Sequence, residues 1–124
     1  NLKNRVGVMG AAAHYNLVES YSISNVKTLF ASTGVKGDDL AAHYYVDELI
    51  APNSVNTAPL DTVAAATANS VRKPKLPIAQ SEIDAFFDEL KGVGADFEKT
   101  CDELLADGLK QFEAAFKEIM DELR

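Results

Sequence analysis

The chain has 124 residues, of which 47% are hydrophobic and 25% charged, and its formal net charge is −7. The length leaves room for one small domain. No apolar run approaches the roughly 20 residues that a membrane span needs, so we expect a soluble protein with no membrane partner. The single cysteine, Cys101, excludes an intramolecular disulfide and a cysteine-cluster zinc site, and it fits a reducing compartment such as the cytoplasm. The absence of Met and of a signal-type stretch at Asn1 indicates either a trimmed start or a segment of something longer.

The negative charge is unevenly distributed along the chain. Residues 1–74 carry six acidic and six basic side chains, whereas residues 75–124 carry thirteen acidic and six basic ones. An acidic surface repels phosphate backbones and anionic lipids, so we expect no nucleic-acid partner. The neutral first part is the better place for an anion site.

Helix and strand patterns alternate in the first part of the chain. An alanine-rich stretch with apolar residues at helical spacing predicts the first helix, and short runs rich in β-branched and large apolar residues predict two strands. A loop with two glycines, residues 32–37, follows the first strand. The predicted elements are a helix over 6–20, a strand over 26–31, a helix over 41–49, a strand over 54–58 and a helix over 60–68. This alternation is typical of a parallel α/β architecture.

The second part is predicted to be all helix. Residues 73–77 contain two prolines, which disfavour both a helix and a central strand, and therefore separate the two parts. The next helix begins at Ser81 and ends at residues 92–94, Asp96 caps another, and Asp107-Gly108 precedes the last. Each carries an apolar stripe, which indicates helix packing rather than a ligand site.

Three blocks of sequence resemble the transaldolase family. They are residues 29–36 (LFASTGVK), 45–52 (YVDELIAP) and 54–59 (SVNTAP), in the order and at the spacing that transaldolases have between the seventh and eighth strands of their barrel. Residues 6–12 resemble the helix before the seventh strand, and residues 107–112 resemble the family's closing helix. The resemblance covers most of the chain.

The resemblance implies an α/β fold, the C-terminal part of a (β/α)8 TIM barrel, mostly helical with two short parallel strands. Residues 1–73 would be its last βα units, and residues 74–124 a C-terminal helical segment packing on the barrel. A complete barrel takes roughly 250 residues, so at most half of one fits. The remaining N-terminal part of the barrel would be the partner of this segment. Because an incomplete barrel has open strand edges and apolar helix faces, we also expect self-association when the segment is made alone.

The activity that the resemblance implies is a transferase of the non-oxidative pentose phosphate pathway. It moves a dihydroxyacetone unit from sedoheptulose 7-phosphate to glyceraldehyde 3-phosphate, and needs no metal or organic cofactor. In that family a lysine on the fourth strand forms a Schiff base with the donor carbonyl, and carboxylates on earlier strands move protons. None of those strands is among the predicted elements. We therefore assign no catalytic residue here and expect the isolated segment to be inactive.

Binding of the substrate phosphate is the role implied for the loop after the first strand. Barrel enzymes often bind phosphate with the loops after strands seven and eight, where glycines let backbone N–H groups approach the oxygens. Ser32 matches the family's serine in that loop. Some transaldolases use an arginine there; this loop has none, so Lys36, a few residues later, is the candidate for the balancing charge. Thr33 is a further candidate, with Asn56 and Thr57, although spacing alone is more typical of ordinary loop residues.

Other titratable residues are not assigned to chemistry. His14 and His43 are interpreted as packed or exposed side chains rather than metal ligands. The acidic pairs Asp38-Asp39 and Asp47-Glu48 are interpreted as solvated, because sequence neighbours do not face each other as a catalytic dyad must.

The alternative function is a non-catalytic helical interaction module. Residues 75–124 could form a helical bundle that binds a partner through exposed apolar stripes. Two adjacent parallel strands with Ser32 and Lys36 at the same end would favour the barrel, and unpaired strands would favour the module.

Overall fold

The structure is a computed structural model that describes residues 2–68 and 73–123. Its elements in chain order are α1 (Val6–Ser20), β1 (Thr28–Phe30), α2 (Tyr44–Glu48), β2 (Ser54–Asn56), α3 (Leu60–Thr67), α4 (Gln80–Gly92) and α5 (Phe97–Glu122). They fall into two compact units, the first unit, residues 1–86, and the second unit, residues 87–124. The division predicted after residue 73 concerns the place of each segment in a barrel and stays a prediction. Residues 69–72, just before this predicted division, lie outside the described residues.

The core of the first unit forms around α1. This helix is rich in alanine, the residue with the highest helix propensity, and its bounds are those predicted. One face is buried and presents Val8, Met9, Ala12 and Tyr15. The ring of Tyr15 lies 6.3 Å from that of Phe30, and its hydroxyl donates to the carbonyl of Pro52 at 2.9 Å. Helix α1 is therefore attached both to β1 and to the segment that leads into β2.

The two strands are adjacent and parallel, as predicted. Thr28, Leu29 and Phe30 pair with Ser54, Val55 and Asn56 in that order. Both strands are shorter than the sequence pattern predicts. At the start of β1, the Val26 N–H donates to the Ile23 carbonyl in a turn, so it is not available to the sheet. After Phe30 the backbone turns away at Ser32, whose φ is 59°.

The two faces of the strand pair differ in exposure. Phe30 is buried on the face that packs toward α1. On the other face Leu29 and Val55, which are paired in the register, are 58% and 43% exposed. An apolar face on a parallel sheet is normally covered.

Helix α2 is shorter than the predicted 41–49, because residues before it form a turn in which the Tyr44 N–H donates to the Ala41 carbonyl at 2.8 Å. Helix α3 begins directly after Pro59 and agrees with the prediction to within one residue. A proline at this point removes no helical hydrogen bond, because the first N–H groups of a helix have no partner within it.

The proline-containing segment after residue 73 is attached to the first unit. The N–H groups of Lys75 and Leu76 donate to the Ile50 carbonyl at 2.9 and 3.3 Å, and the Asn16 amide donates to the Ile78 carbonyl at 2.8 Å. Leu76 is 3% exposed. The segment is therefore part of the packed structure and not a loose linker.

The predicted start of α4 at Ser81 is wrong. The N–H groups of Glu82 and Ile83 donate to the Ala79 carbonyl, so the first turn begins at Gln80 and contains Ser81. Within the first unit, Ile83 is 1% exposed. The Arg5 guanidinium pairs with the Glu82 carboxylate at 3.6 Å.

The second unit contains the end of α4 and the whole of α5. Gly94, with φ 84°, follows α4, and the Asp96 side chain accepts the Lys99 N–H at 3.0 Å, as expected for a helix cap. The predicted break at Asp107-Gly108 is wrong, since α5, which is 26 residues long, continues through this pair to Glu122. A glycine inside a helix costs only about 1 kcal/mol relative to alanine, which is too little to end a long helix.

No residue of α5, which is described throughout, is buried. Phe97, at the start of α5, is half-buried, and its ring lies 4.8 Å from that of Phe87. Farther along the helix, seven large apolar side chains are exposed by 40% to 80%; they are Leu104, Leu105, Leu109, Phe112, Phe116, Ile119 and Met120. Within residues 2–68 and 73–123, no helix combines the length and apolar character needed to cross a membrane.

Candidate functional site

The loops that follow β1 and β2 meet at the carboxyl edge of the strand pair. The Thr57 N–H donates to the Phe30 carbonyl at 3.0 Å, which extends the pairing by one step beyond the strands. The Thr57 carbonyl then accepts two hydrogen bonds from Thr33, one from its N–H at 3.1 Å and one from its hydroxyl at 3.0 Å. Residues 24 positions apart are thus held side by side.

A cleft of about 410 Å³ lies between these two loops. Its lining residues come from both loops and are Ser32, Gly34, Val35, Lys36, Thr57, Ala58 and Pro59. Pro59 immediately precedes α3, so the cleft borders the N-terminal end of that helix. The N-terminus of a helix carries a partial positive charge from its unpaired N–H groups, which favours anions.

The loop after β1, residues 32–37, is called the first loop. It presents hydrogen-bond donors that no other described residue uses. Within residues 2–68 and 73–123, no hydrogen bond involves the Ser32 hydroxyl or the N–H groups of residues 34–36. No ion pair in the same residues involves the exposed Lys36 ammonium. The carboxylates of Asp38 and Asp39 lie close to Lys36 in sequence. The Asp39 carboxylate is paired with the Lys3 ammonium at 3.8 Å. The cleft is therefore lined by donors and a cation that can receive an anionic ligand.

Ser32 has an unusual backbone conformation. Its φ of 59° lies in the left-handed region, which non-glycine residues adopt uncommonly. Such conformations cost of order 1–3 kcal/mol and are concentrated at ligand-binding sites. At Ser32 the chain leaves β1 and enters the cleft loop.

The structure places the predicted site residues in two groups. Ser32, Lys36 and Thr57 all line the cleft. Thr33 is 3% exposed, and its hydroxyl hydrogen is already donated to Thr57. Asn56 does not line the cleft, and its amide donates to the Leu49 carbonyl at 3.2 Å.

Sequence reasoning gave the glycines of this loop a role in phosphate approach but missed the contact between Gly34 and Pro59. The signal in the sequence was Gly34 itself, since a glycine close to a strand often marks the close approach of another backbone segment. The structure shows that Gly34 and Pro59 line the same cleft.

The prediction that the acidic pair Asp47-Glu48 is solvated is wrong. Asp47 lies one helical turn after His43, and its carboxylate is 2.8 Å from the imidazole Nδ1. The Glu48 carboxylate is paired with the Lys75 ammonium. Burial raises the pKa of the Tyr44 hydroxyl, and the negative charge of Glu48 raises it further. These contacts connect α2 to its surroundings in the first unit.

The metal-ligating and nucleophilic side chains that the structure describes form no second site. Among the described residues, no cluster of three or more His, Cys, Asp or Glu side chains is placed to hold a metal ion. Every lysine of the chain lies in the described part, and each is exposed. The imidazole Nδ1 of His14 lies 2.7 Å from the Gly10 carbonyl of its own helix.

A parallel strand pair with helices after each strand, and a donor-lined cleft at the carboxyl edge, defines an α/β protein of the kind that binds ligands beyond the strand ends. The family model described as transaldolase/fructose-6-phosphate aldolase matches residues 1–123, and the chain belongs to this family.

Individual relatives agree with the family assignment. The chain is 44% identical over 123 residues to a protein named transaldolase from Campylobacter jejuni subsp. jejuni serotype O:23/36 (strain 81-176), covering 98% of this chain and 36% of that protein. It is 37% identical over 120 residues to a transaldolase of Helicobacter pylori (strain P12), covering 97% of this chain and 38% of that protein. The chain thus spans little more than a third of the length of these curated relatives.

Proposed function

We propose that this chain is the C-terminal part of a transaldolase and that its residues bind the substrate phosphate. The complete enzyme would transfer a dihydroxyacetone unit from sedoheptulose 7-phosphate to glyceraldehyde 3-phosphate, giving erythrose 4-phosphate and fructose 6-phosphate. This is a step of the pentose phosphate pathway, in the cytoplasm, and the proposed chemistry uses no metal or organic cofactor. Membership of the family and the names of the relatives support the assignment.

The exposure of the strand pair supports a place in a TIM barrel. Helices cover the outer face of each barrel strand, and inward-facing side chains fill the interior. Phe30 packs toward α1, whereas Leu29 and Val55 lie exposed on the opposite face. We therefore assign Leu29 and Val55 to the barrel interior, where the remaining strands would cover them.

The observation that carries the phosphate proposal is the set of unused donors in the cleft. The Ser32 hydroxyl, the N–H groups of residues 34–36 and the Lys36 ammonium line one cleft or lie in the loop that forms it. Phosphate oxygens accept several hydrogen bonds, and an ammonium group balances their charge. Ser32 and Lys36 are the proposed side-chain ligands.

Thr33 is proposed to act differently from its two neighbours. Its only hydroxyl hydrogen is donated to the Thr57 carbonyl, so a direct hydrogen bond to phosphate would require that contact to break. We propose that Thr33 joins the two loops and thereby holds the phosphate ligands in place.

The bond-breaking chemistry is proposed to lie outside this chain. The resemblance places the Schiff-base lysine on the fourth strand of the barrel, whereas β1 and β2 match the seventh and eighth strands. Neither β1 nor β2 carries a lysine. We propose that the Schiff-base lysine and the proton-transferring carboxylates belong to the rest of the barrel, which would be the partner of this segment.

The phosphate proposal is tested by Lys36→Ala and Ser32→Ala in the complete enzyme. Charge-assisted hydrogen bonds contribute about 1.5–3 kcal/mol each, so Lys36→Ala should weaken the use of phosphorylated donors by roughly 10- to 150-fold. Most of the loss should appear in KM, because the phosphate is remote from the bond that breaks. The matched control is Lys27→Ala, which removes another exposed lysine just before β1, at the opposite end of the strand.

The decisive measurement is the preference for fructose 6-phosphate over fructose as the donor. Lys36→Ala should reduce this preference, and Lys27→Ala should leave it unchanged. If Lys36→Ala and Ser32→Ala both retain the full preference, the cleft is not the phosphate site, even though the family assignment stands.

The alternative of a helical interaction module is favoured by one observation, the exposed apolar stripe of α5. Exposed apolar patches of this kind mark surfaces that bind other chains. We propose that the segment associates with itself when made alone, or with a partner that carries the missing strands. Sedimentation at high concentration tests this, and a monodisperse monomer would contradict it.

A further inference from the structure

Gly34 occupies a position where the first cleft loop touches the start of α3. A Cβ atom added at residue 34 would lie 2.9 Å from Pro59 Cδ, 3.1 Å from Pro59 Cγ and 3.4 Å from the Thr62 hydroxyl oxygen. Carbon atoms in van der Waals contact are about 3.5–4.0 Å apart. There is therefore no room for a side chain at this position.

The requirement for glycine at residue 34 is one of space and not of backbone conformation. Gly37 in the same loop has the left-handed φ of 97°, and an added Cβ there meets nothing within 4 Å. Gly34 has no left-handed φ, and its added Cβ meets a proline ring. The two glycines of the loop thus serve opposite purposes.

The neighbours of Gly34 have little freedom to move away. The Pro59 ring is part of the backbone and cannot swing aside as a flexible side chain can. Thr62 is 5% exposed, within α3. On the other side, the two hydrogen bonds from Thr33 to the Thr57 carbonyl hold the loop down. A side chain at residue 34 would therefore move the loop itself.

We propose that Gly34 is a positioning residue that sets the spacing of the phosphate cleft. By letting the first loop lie directly against Pro59, it fixes the distance between Ser32 and Lys36 on one side and Thr57 to Pro59 on the other. The inference rests on the proposed phosphate role of this cleft. It adds that the selectivity for phosphorylated sugars depends on a residue that has no side chain to contact the phosphate.

The test is a double-mutant cycle between Gly34 and Pro59 in the complete enzyme. Misplacement of a binding group by about 1 Å can cost as much as a hundredfold, so Gly34→Ala should raise KM for fructose 6-phosphate by roughly 10- to 100-fold. The kcat/KM for fructose should change by less than about threefold, because that donor has no phosphate to misplace. Gly7→Ala is the matched control, since its added Cβ meets nothing within 4 Å, and KM should not change.

Rescue by Pro59→Ala distinguishes a spacing effect from a general disturbance. Removal of the proline ring creates the room that the Cβ needs, so Gly34→Ala should have little effect in the Pro59→Ala background. If Gly34→Ala alone does not fold, its effect is measured in that background, where a further large rise in KM would overturn the proposal. An unchanged KM for Gly34→Ala, an equal loss for both donors, or no rescue would also overturn it.

The failure of this inference is distinguishable from failure of the phosphate site. If Lys36→Ala abolishes the preference for fructose 6-phosphate while Gly34→Ala preserves it, the cleft binds phosphate and only the role of Gly34 is wrong. If Lys36→Ala and Ser32→Ala have no effect on the preference, the phosphate site itself is wrong.

Discussion

The two units of the chain are stabilised in different ways. In the first unit, side chains distant in sequence meet in a core, as Tyr15 and Phe30 do, and hydrogen bonds such as that from Asn16 to Ile78 join distant segments. In the second unit, the hydrogen bonds and ion pairs of α5 connect residues three or four positions apart. The first unit carries tertiary structure, and α5 shows chiefly local structure with its apolar side chains exposed. Local helical patterns alone therefore do not say whether a helix is buried.

This difference bears on where the proposed enzyme's remaining parts are needed. An exposed apolar stripe and an exposed strand face occur in the same chain. We infer that the other barrel strands would cover the strand face in the complete protein. Another chain or chain segment would cover the apolar stripe of α5. Variants in both units test this contrast.

The strongest expectation is that neither unit forms a Schiff base with a sugar phosphate. Borohydride reduction of the isolated 124-residue chain with fructose 6-phosphate should trap no adduct on any lysine, because neither β1 nor β2 carries a lysine and the resemblance places the Schiff-base lysine on another barrel strand. The measurement is intact mass followed by peptide mapping. An adduct on a lysine of this chain would overturn our placing of the Schiff base elsewhere.

The next effect compares a buried side chain with an exposed one. Ile83→Ala should reduce the free energy of unfolding of the isolated chain by about 2–5 kcal/mol, because Ile83 is 1% exposed and its removal leaves a cavity. Leu105→Ala, at a position 65% exposed, should change it by less than about 0.5 kcal/mol. Unfolding in urea, at protein concentrations too low for self-association, measures both changes in the free energy of unfolding. Equal costs would show that the stripe of α5 is already covered.

A smaller effect is expected at the start of α5. Asp96→Ala removes the side chain that accepts the Lys99 N–H, and loss of such a cap costs about 1 kcal/mol of helix stability. Asp107→Ala is the control, since it removes an exposed contact to Gln111 one turn later while alanine gains helix propensity, so stability should change by less than about 0.5 kcal/mol. Hydrogen exchange at the first amides of α5 should report the difference. Similar exchange in both variants would contradict the capping role.

The smallest effect concerns Tyr15 in the first unit. Tyr15→Phe removes the hydrogen bond to the Pro52 carbonyl and should cost about 0.5–1 kcal/mol, because this exposed carbonyl can bind water instead. Denaturant unfolding at neutral pH measures this cost, with Tyr21→Phe, at an exposed tyrosine, as the control.

The pH dependence gives a second readout for the same tyrosine. Burial raises the pKa of Tyr15 above its ordinary value of 10.0, and the Glu19 carboxylate adds to the shift. Above about pH 10 the unfolded chain therefore loses this proton before the folded one does, so stability decreases as pH rises. Stability of the Tyr15→Phe variant should decrease less steeply as the pH rises above about 10. An identical slope in the variant would show that Tyr15 does not contribute.

Much of the candidate site could be predicted from sequence because its residues are close together along the chain. Ser32 and Lys36 belong to one short loop, and both line the cleft, while their role in phosphate binding stays a proposal. What could not be predicted is the contact between loops. The hydrogen bonds from Thr33 to Thr57 and the approach of Gly34 to Pro59 join residues far apart along the chain, and no local pattern encodes them.

The fold shows the same division between local and distant information. The sequence alone predicted α1 and the cap at Asp96, because helix propensity and capping act over a few residues. The parallel order of the two strands was expected from the alternation of helix and strand patterns and from the family resemblance. The sequence misjudged Asp107-Gly108, where the continuing hydrogen bonds of a long helix outweigh the local cost of glycine. Only the tertiary structure decided that Glu48 pairs with Lys75, and that a glycine in the first loop has no room for a side chain, because both depend on segments that folding brings together.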